Sequence, residues 1–303
     1  MVASKYMVLG GSSGRYLAIM VSRLLGIDYG STVIKKFPDG ETYIRIVGDI
    51  AGKIVIYINS LQPSPNDKIV ETIYTLYTLK DLGADKIYAF IPYMVYARQD
   101  ERFTAGEAVS IKVLAKLFRD IELEGIYTID MHLHRISEPR TLFGDNFYNL
   151  TAIPLLADYV RKHYNLDKPI VIGPDEKSLQ WSKIMADCLD GLEYDVLIKK
   201  RISAEDVIIE AANVDVSNRD VIIIDDIIST GGTMAEALKA LYNLGAKKVL
   251  VTCVHALLVG EAYEKILSHN PLDMIATDTV LSPISRVSIA PLIAKAIEED
   301  IMS

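Results

Sequence analysis

The chain has 303 residues, half of them apolar, enough for one large domain or two of ordinary size. Its formal net charge of −8 argues against a nucleic-acid or anionic-membrane surface, so any phosphate site must be locally basic or use a divalent cation. Cys188 and Cys253 lie far apart in no metal-ligand spacing, which fits a reducing cytoplasm, and neither a signal-peptide pattern nor a bilayer-long apolar run is visible.

Residues 6–9 read as a first strand, followed by the tight turn Gly10-Gly11-Ser12-Ser13-Gly14. Leu17, Met20, Val21, Leu24 and Leu25 then form a helical apolar stripe. The turn lacks GxGxxG spacing and reads as structural. Strands over 32–36 and 42–47 flank Phe37-Pro38-Asp39-Gly40-Glu41, a hairpin turn that sets an aromatic ring beside two carboxylates. Such a ring can stack on a planar base, although the turn alone reads as a plain one. Strands over 54–58 and 86–91 bracket a helix over 66–82 that Gly83 closes. Residues 93–103 leave a strand's C-terminal end, where α/β folds bind ligands, and read as too polar and aromatic for core. Arg98 and Gln99 offer donors there for phosphate or a base edge. A helix over 109–118 and a strand over 125–129 lead to Asp130-Met131-His132-Leu133-His134. Alternation points the two imidazoles to opposite faces, one toward a site and the other structural.

The second half begins near Asn149. A helix over 153–164 and a strand over 169–172 run into Gly173-Pro174-Asp175, a carboxylate at a strand end. A helix to Leu189 and a strand over 194–198 precede Lys199-Lys200-Arg201 and a polar stretch over 202–206. Three adjacent cations read as a solvated loop or as a clamp on polyphosphate. Residues 221–233, VIIIDDIISTGGT, carry the strongest signal. A β-branched run forms a strand buried on both faces, and Asp225 and Asp226 follow where it ends. Ser229-Thr230-Gly231-Gly232-Thr233 opens a helix over 234–244. Glycines let the backbone close on an anion, hydroxyls add donors, and the helix N-terminus favours negative charge. The carboxylates suit sugar hydroxyls or a hydrated cation. No Lys follows the glycines, so this is not a P-loop. A strand over 247–254 and a helix around 259–267 complete the sheet, and 291–301 is a last helix.

The halves echo each other. Residues 76–88 read LYTLKDLGADKIY and residues 238–250 LKALYNLGAKKVL, sharing Leu-Gly-Ala between helix and strand. One step upstream, 54–58 matches 221–225 in position, but Asn59-Ser60-Leu61-Gln62-Pro63-Ser64-Pro65 replaces the acidic, glycine-rich loop. The phosphate cradle is thus expected in the second half alone.

The glycine-rich stretch resembles the phosphoribosyl-diphosphate motif of phosphoribosyltransferases and ribose-phosphate pyrophosphokinases. Over nearly its whole length the chain resembles the second of these families. FPDGE resembles its adenine loop, PYMVYARQD its PYxxYARQD segment, DMH its DLH, IGPD its VSPD, and IDDIISTGGT its ribose-phosphate loop. The resemblance implies an α/β fold of two similar phosphoribosyltransferase-like domains, each a mainly parallel sheet flanked by helices. Their bounds are 1–148 and 149–303, with the last helix a candidate to pack back on the first domain. It implies transfer of the diphosphoryl group of ATP to the 1-hydroxyl of ribose 5-phosphate, with Mg²⁺, in a cytoplasmic homodimer or higher oligomer.

By the same resemblance Phe37, Asp39, Gly40 and Glu41 hold adenine from a neighbouring subunit, and Arg98, Gln99 and Asp100 hold ATP. His132 and Asp175 serve the metal. Asp225 and Asp226 bind ribose hydroxyls, and Ser229, Thr230, Gly231, Gly232 and Thr233 the 5-phosphate. Lys199 and Arg201 act on the transferred group. Two positions depart from the family pattern: Ser229 stands where Asp is common, and Lys177-Ser178 where the family has Gly-Gly. A phosphoribosyltransferase that consumes the diphosphate and a non-catalytic regulatory relative are the competing readings.

Overall fold

A computed structural model of the chain describes residues 5–102, 104–133, 136, 138–201, 207–211 and 214–303, with the side chains of 199–201 and 207–210 outside that description. The chain divides into two compact units, Met1–Leu150 with Ile289–Ser303, and Thr151–Ser288.

The first unit contains strands β1 (Tyr6–Gly10), β2 (Asp28–Lys36), β3 (Thr42–Val47), β4 (Ile54–Ile58), β5 (Lys86–Ile91), β6 (Gly125–Ile129) and β7 (Phe147–Leu150). Its helices are α1 (Arg15–Leu25), α2 (Pro65–Asp81), α3 (Ser110–Asp120) and α4 (Arg140–Phe143), and the chain's last helix packs on α1. The second unit runs α5 (Ile153–His163), β8 (Ile170–Gly173), α6 (Leu179–Cys188), β9 (Tyr194–Arg201), β10 (Val207–Ala211), β11 (Asp220–Ile228), α7 (Gly232–Asn243), β12 (Lys248–Ala256), α8 (Ala262–Leu267), β13 (Asp273–Thr277) and β14 (Ser285–Val287). The last helix of the chain, α9, is Ala290–Asp300.

Both sheets have the same order, β3-β2-β1-β4-β5-β6-β7 and β10-β9-β8-β11-β12-β13-β14. In each, an antiparallel hairpin forms one edge and every other pairing is parallel. The central strands are apolar runs buried on both faces. All five residues of β4 are buried, as are Val221 to Ile224 of β11, each worth about 1.5–3 kcal/mol of transfer free energy.

The helices cover these faces with narrower stripes than their sequences suggest: in α1, Leu17, Ala18 and Val21 are buried, whereas Met20 and Leu24 are exposed. The short strands β7, β10, β13 and β14 were not predicted. Pairing with a neighbouring strand defines them.

Register places the repeat. Ile54 pairs with Lys86, and Asp220 with Lys248. Lys86 and Lys248 stand at the same interval after Leu-Gly-Ala. Ile54 therefore takes the place of Asp220, Asn59 that of Asp225, and Ser60 that of Asp226. The sequence match of 54–58 with 221–225 is one residue out of register, and one residue inverts the face each side chain takes.

Candidate active site

The glycine-rich loop joins β11 to α7. Gly231 precedes the helix at φ +73 and, as a glycine, brings no side chain to cap this end. The N–H groups of the first turn have no intrahelical acceptor, and the helix dipole adds positive potential there. A Cβ on Gly231 would stand 2.9 Å from Ala262 O, so conformation and packing both require glycine. The loop after β12 braces the turn from outside. Val259 N–H donates to Ser229 O at 2.9 Å, and Leu257 and Leu258 N–H both donate to Ile228 O. Thr230 and Thr233 are exposed, and Ser229 and Gly232 are half-buried.

Asp225 and Asp226 lie within β11, not beyond its end, because the strand continues to Ile228. Consecutive strand residues face opposite sides, and Asp226 is buried while Asp225 is half-buried. Asp226 N–H donates to Asp225 Oδ1 at 3.0 Å. Loss of solvent around the carboxyl, then the negative charges of Asp226 and Asp175, push Asp225 well above the usual carboxylate range.

Asp175 follows β8, the neighbour of β11. It starts a single 3₁₀ turn, Glu176–Ser178, in which its side chain accepts from Lys177 N–H at 3.0 Å. Ser178 Oγ donates to Asp175 O at 2.5 Å and faces Asp175 N–H at 3.3 Å. The end of the β8–β11 pair thus combines an open anion cradle with crowded carboxylates, a surface for a phosphorylated sugar with its hydroxyls or a cation. Among the described residues, no three His, Cys, Asp or Glu are arranged to hold a metal by themselves.

In the first unit the equivalent space is filled. Asn59 Nδ2 donates to Glu71 Oε1 at 3.1 Å and to Thr72 Oγ1 at 3.0 Å, and its Oδ1 accepts Ser13 N–H at 3.0 Å. Glu71 also accepts from Ser12 N–H at 2.7 Å and Ser12 Oγ at 2.5 Å, and pairs with Lys68 at 3.2 Å. A Cβ on Gly11 would lie 2.3 Å from Asn59 Cγ. The GGSSG turn is thereby locked onto its own unit.

Phe37, Asp39, Gly40 and Glu41 form the exposed tip of the β2–β3 hairpin. Phe37 N–H donates to Glu41 O at 2.8 Å, and Glu41 N–H to Asp39 Oδ1 at 3.1 Å. The Phe37 ring is 47% exposed and meets Tyr43 edge-on at 5.8 Å. Below it, Val33, Lys35, Lys36, Tyr43 and Arg45 line an open groove of about 320 Å³ with Phe37.

The segment after β5 corrects its sequence reading: Tyr93, Met94, Val95 and Ala97 are buried, and Leu61 N–H donates to Tyr93 O at 3.2 Å. Arg98 is exposed, Gln99 Oε1 accepts from Ser110 Oγ at 2.9 Å, and Asp100 is buried. His132 is half-buried in the first unit, whereas Asp175 belongs to the second. His134, Phe103 and residues 202–206 lie outside the described residues. Lys199 and Arg201 sit within β9, their backbones paired with Ile209 and Val207, rather than in a loop after it, and their side chains lie outside the description.

A family description for the N-terminal domain of ribose phosphate pyrophosphokinase matches residues 6–121, and one for the phosphoribosyl transferase domain matches residues 147–272. The ribose-phosphate pyrophosphokinase of Methanothermobacter thermautotrophicus is 38% identical over 293 residues, spanning 97% of this chain and all of the relative. Ribose-phosphate pyrophosphokinase 2 of Archaeoglobus fulgidus is 40% identical, over 94% of this chain and 97% of the relative. The chain belongs to the ribose-phosphate pyrophosphokinase family. The crystal structure of phosphoribosylpyrophosphate synthetase from Mycobacterium smegmatis superposes with a TM-score of 0.86 at 27% identity, over 98% of this chain and all of that one. Both units are accordingly phosphoribosyltransferase-like domains.

Against the family pattern, Ser178 is buried and closes the capping box on Asp175. Sequence reading missed this role, although Asp-x-x-Ser at a helix start is a legible capping signal. It also missed Glu71, whose charge gave no hint of its partners.

Proposed function

We propose that the chain assembles phosphoribosyl diphosphate at the open end of the second unit's sheet. Its reaction is that of its family, transfer of the diphosphoryl group of ATP to the 1-hydroxyl of ribose 5-phosphate, with AMP released. The observation that carries the residue assignment is the uncapped N-terminus of α7 beside Asp225 and Asp226. The N–H groups and hydroxyls of Ser229 to Thr233 hold the 5-phosphate, and the two carboxylates hold ribose hydroxyls. Phosphate at one end and hydroxyl recognition at the other fix the sugar, and positioning supplies much of the catalysis of phosphoryl transfer.

Arg98, Gln99 and Asp100 are assigned to ATP, and Phe37, Asp39, Gly40 and Glu41 to adenine. Exposure of Phe37 above a groove with three cations supports this, and a second copy of the chain would cover it. Sedimentation of active enzyme as a monomer would contradict that arrangement. Lys199 and Arg201 are assigned to charge on the transferred group.

Mg²⁺ fits the donor set, because hard carboxylate oxygens gather where like charges already crowd Asp225. Asp175 and His132 are assigned to it, the remaining ligands coming from substrate and water. The bound ion would neutralise polyphosphate charge. A cytoplasmic location belongs to the same reading, with Cys188 and Cys253 both free thiols.

The full-length match disfavours a single-domain phosphoribosyltransferase, and the retained Lys199, Arg201, His132 and Asp175 disfavour a non-catalytic regulatory relative. The test is AMP release from ATP and ribose 5-phosphate by the purified chain. Release of diphosphate on adding a nucleobase, without AMP formation, would overturn the reading.

A further inference from the structure

We infer that Ser178 and Gly173 form a matched pair whose task is to hold Asp175 in its working orientation. The inference rests on the reading of Asp175 given above. Asp175 leaves β8 in extended backbone, φ −156, at the entrance of a turn only three residues long. Two devices in the turn hold it, one on the carboxylate and one on the backbone.

The Asp175 side chain accepts Lys177 N–H at 3.0 Å, which sets the turn of the carboxyl. Ser178 then grips the residue's backbone on both sides, its Oγ 2.5 Å from Asp175 O and 3.3 Å from Asp175 N. Ser178 is itself buried, and Ser182 Oγ donates to Ser178 O at 3.1 Å from the next helical turn. The grip thus extends into α6.

Gly173 makes this possible. A Cβ there would stand 2.2 Å from Ser178 Oγ and 2.8 Å from Ser182 Oγ. Its conformation requires no glycine, since it is not among the positive-φ residues; the space does. The serine at 178 and the absent side chain at 173 are therefore one feature, seen from two sides. The consequence is directional. A loosened Asp175 weakens the Mg²⁺–ATP side of the site, while Asp225, Asp226 and the cradle are held independently by β11 and the start of α7.

Steady-state kinetics and calorimetric titration with Mg²⁺–ATP on the full chain test this. Asp175→Asn is expected to lower both turnover and Mg²⁺–ATP affinity. Ser178→Ala is expected to repeat that pattern at about tenfold, the usual scale for a residue that orients a ligating group, with KM for ribose 5-phosphate within about twofold. Ser178→Thr retains the hydroxyl and should recover part of the loss. Gly173→Ala should be as damaging as Ser178→Gly, and the Gly173→Ala/Ser178→Gly double variant no worse than Ser178→Gly alone. Intact function in Asp175→Asn would overturn the assignment of Asp175 and the inference with it. An impaired Asp175→Asn beside an unaffected Ser178→Ala would overturn the inference alone. So would strictly additive losses in the double variant, or a Ser178→Ala loss that follows a large fall in Tm.

Discussion

Asn59 and Asp225 occupy the same place in two copies of one fold, and what surrounds each decides whether the loop can serve a ligand. Glu71 and Thr233 likewise stand at equal intervals before Leu-Gly-Ala. Twelve positions separate Asn59 from Glu71, but only eight separate Asp225 from Thr233. The additional residues enter helix: α2 begins six residues before Glu71, α7 one residue before Thr233. At about 3.6 residues per turn, more than one turn of α2 stands where the second unit leaves its loop open. Glu71 then supplies, from within the protein, an anion of the kind that the proposed cradle of the second unit would take from outside. Its carboxylate accepts a backbone N–H, a hydroxyl and an amide, much as a bound phosphate would. The first unit's loop is thus a structural joint built around an anion of its own.

This contrast can be broken from either side. The largest effect is expected at Gly231. Gly231→Val combines a left-handed φ with a clash against Ala262 O, and kcat/KM for ribose 5-phosphate should fall at least about a hundredfold while the fold survives. Retained activity would show that the cradle tolerates a shifted backbone.

Next comes Glu71→Ala, which strands buried donors and the Lys68 charge. It should cost about 3 kcal/mol in urea denaturation yet leave kcat nearly unchanged in the folded fraction. Loss of turnover without loss of stability would mean that the first loop still serves a ligand.

The smallest effect is a control in the second unit, away from the cradle. Lys247 at 2.6 Å holds the exposed Asp167 carboxyl below its usual range. A depressed folded value gives stability that is present above the unfolded carboxylate range and lost as pH falls through the folded one. Asp167→Asn should therefore shift Tm slightly at neutral pH, not at all in strong acid, and leave substrate binding intact, because both side chains are solvent-screened.

Much of this was legible in the sequence, for identifiable reasons. The β-branched run of β11 and the Ser-Thr-Gly loop after it announce both strand and cradle, since β-branched residues suit a buried strand and glycines with hydroxyls at a helix start suit an anion. Leu-Gly-Ala revealed the repeat. Register was not legible: only pairing of Ile54 with Lys86 and of Asp220 with Lys248 shows that Asn59, not Ile58, faces the comparison with Asp225. The extension of β11 past the carboxylates was hidden too, because Asp weakens a strand by propensity and only the partner strand β12 keeps it paired. Tyr93, Met94, Val95 and Ala97 looked polar because aromatic residues are ambiguous, yet all four are buried, and the Leu61 N–H bond to Tyr93 O ties the segment to the loop after β4. Ser178 was readable only as a cap. That it grips Asp175 against Gly173 is a matter of distances, which no residue pattern encodes.

The central claim, that one cradle is open and the other is closed by Glu71, is met most directly by calorimetric titration of the full chain with ribose 5-phosphate. The account expects one equivalent bound per chain. Two equivalents in the unaltered chain, or none, would contradict it.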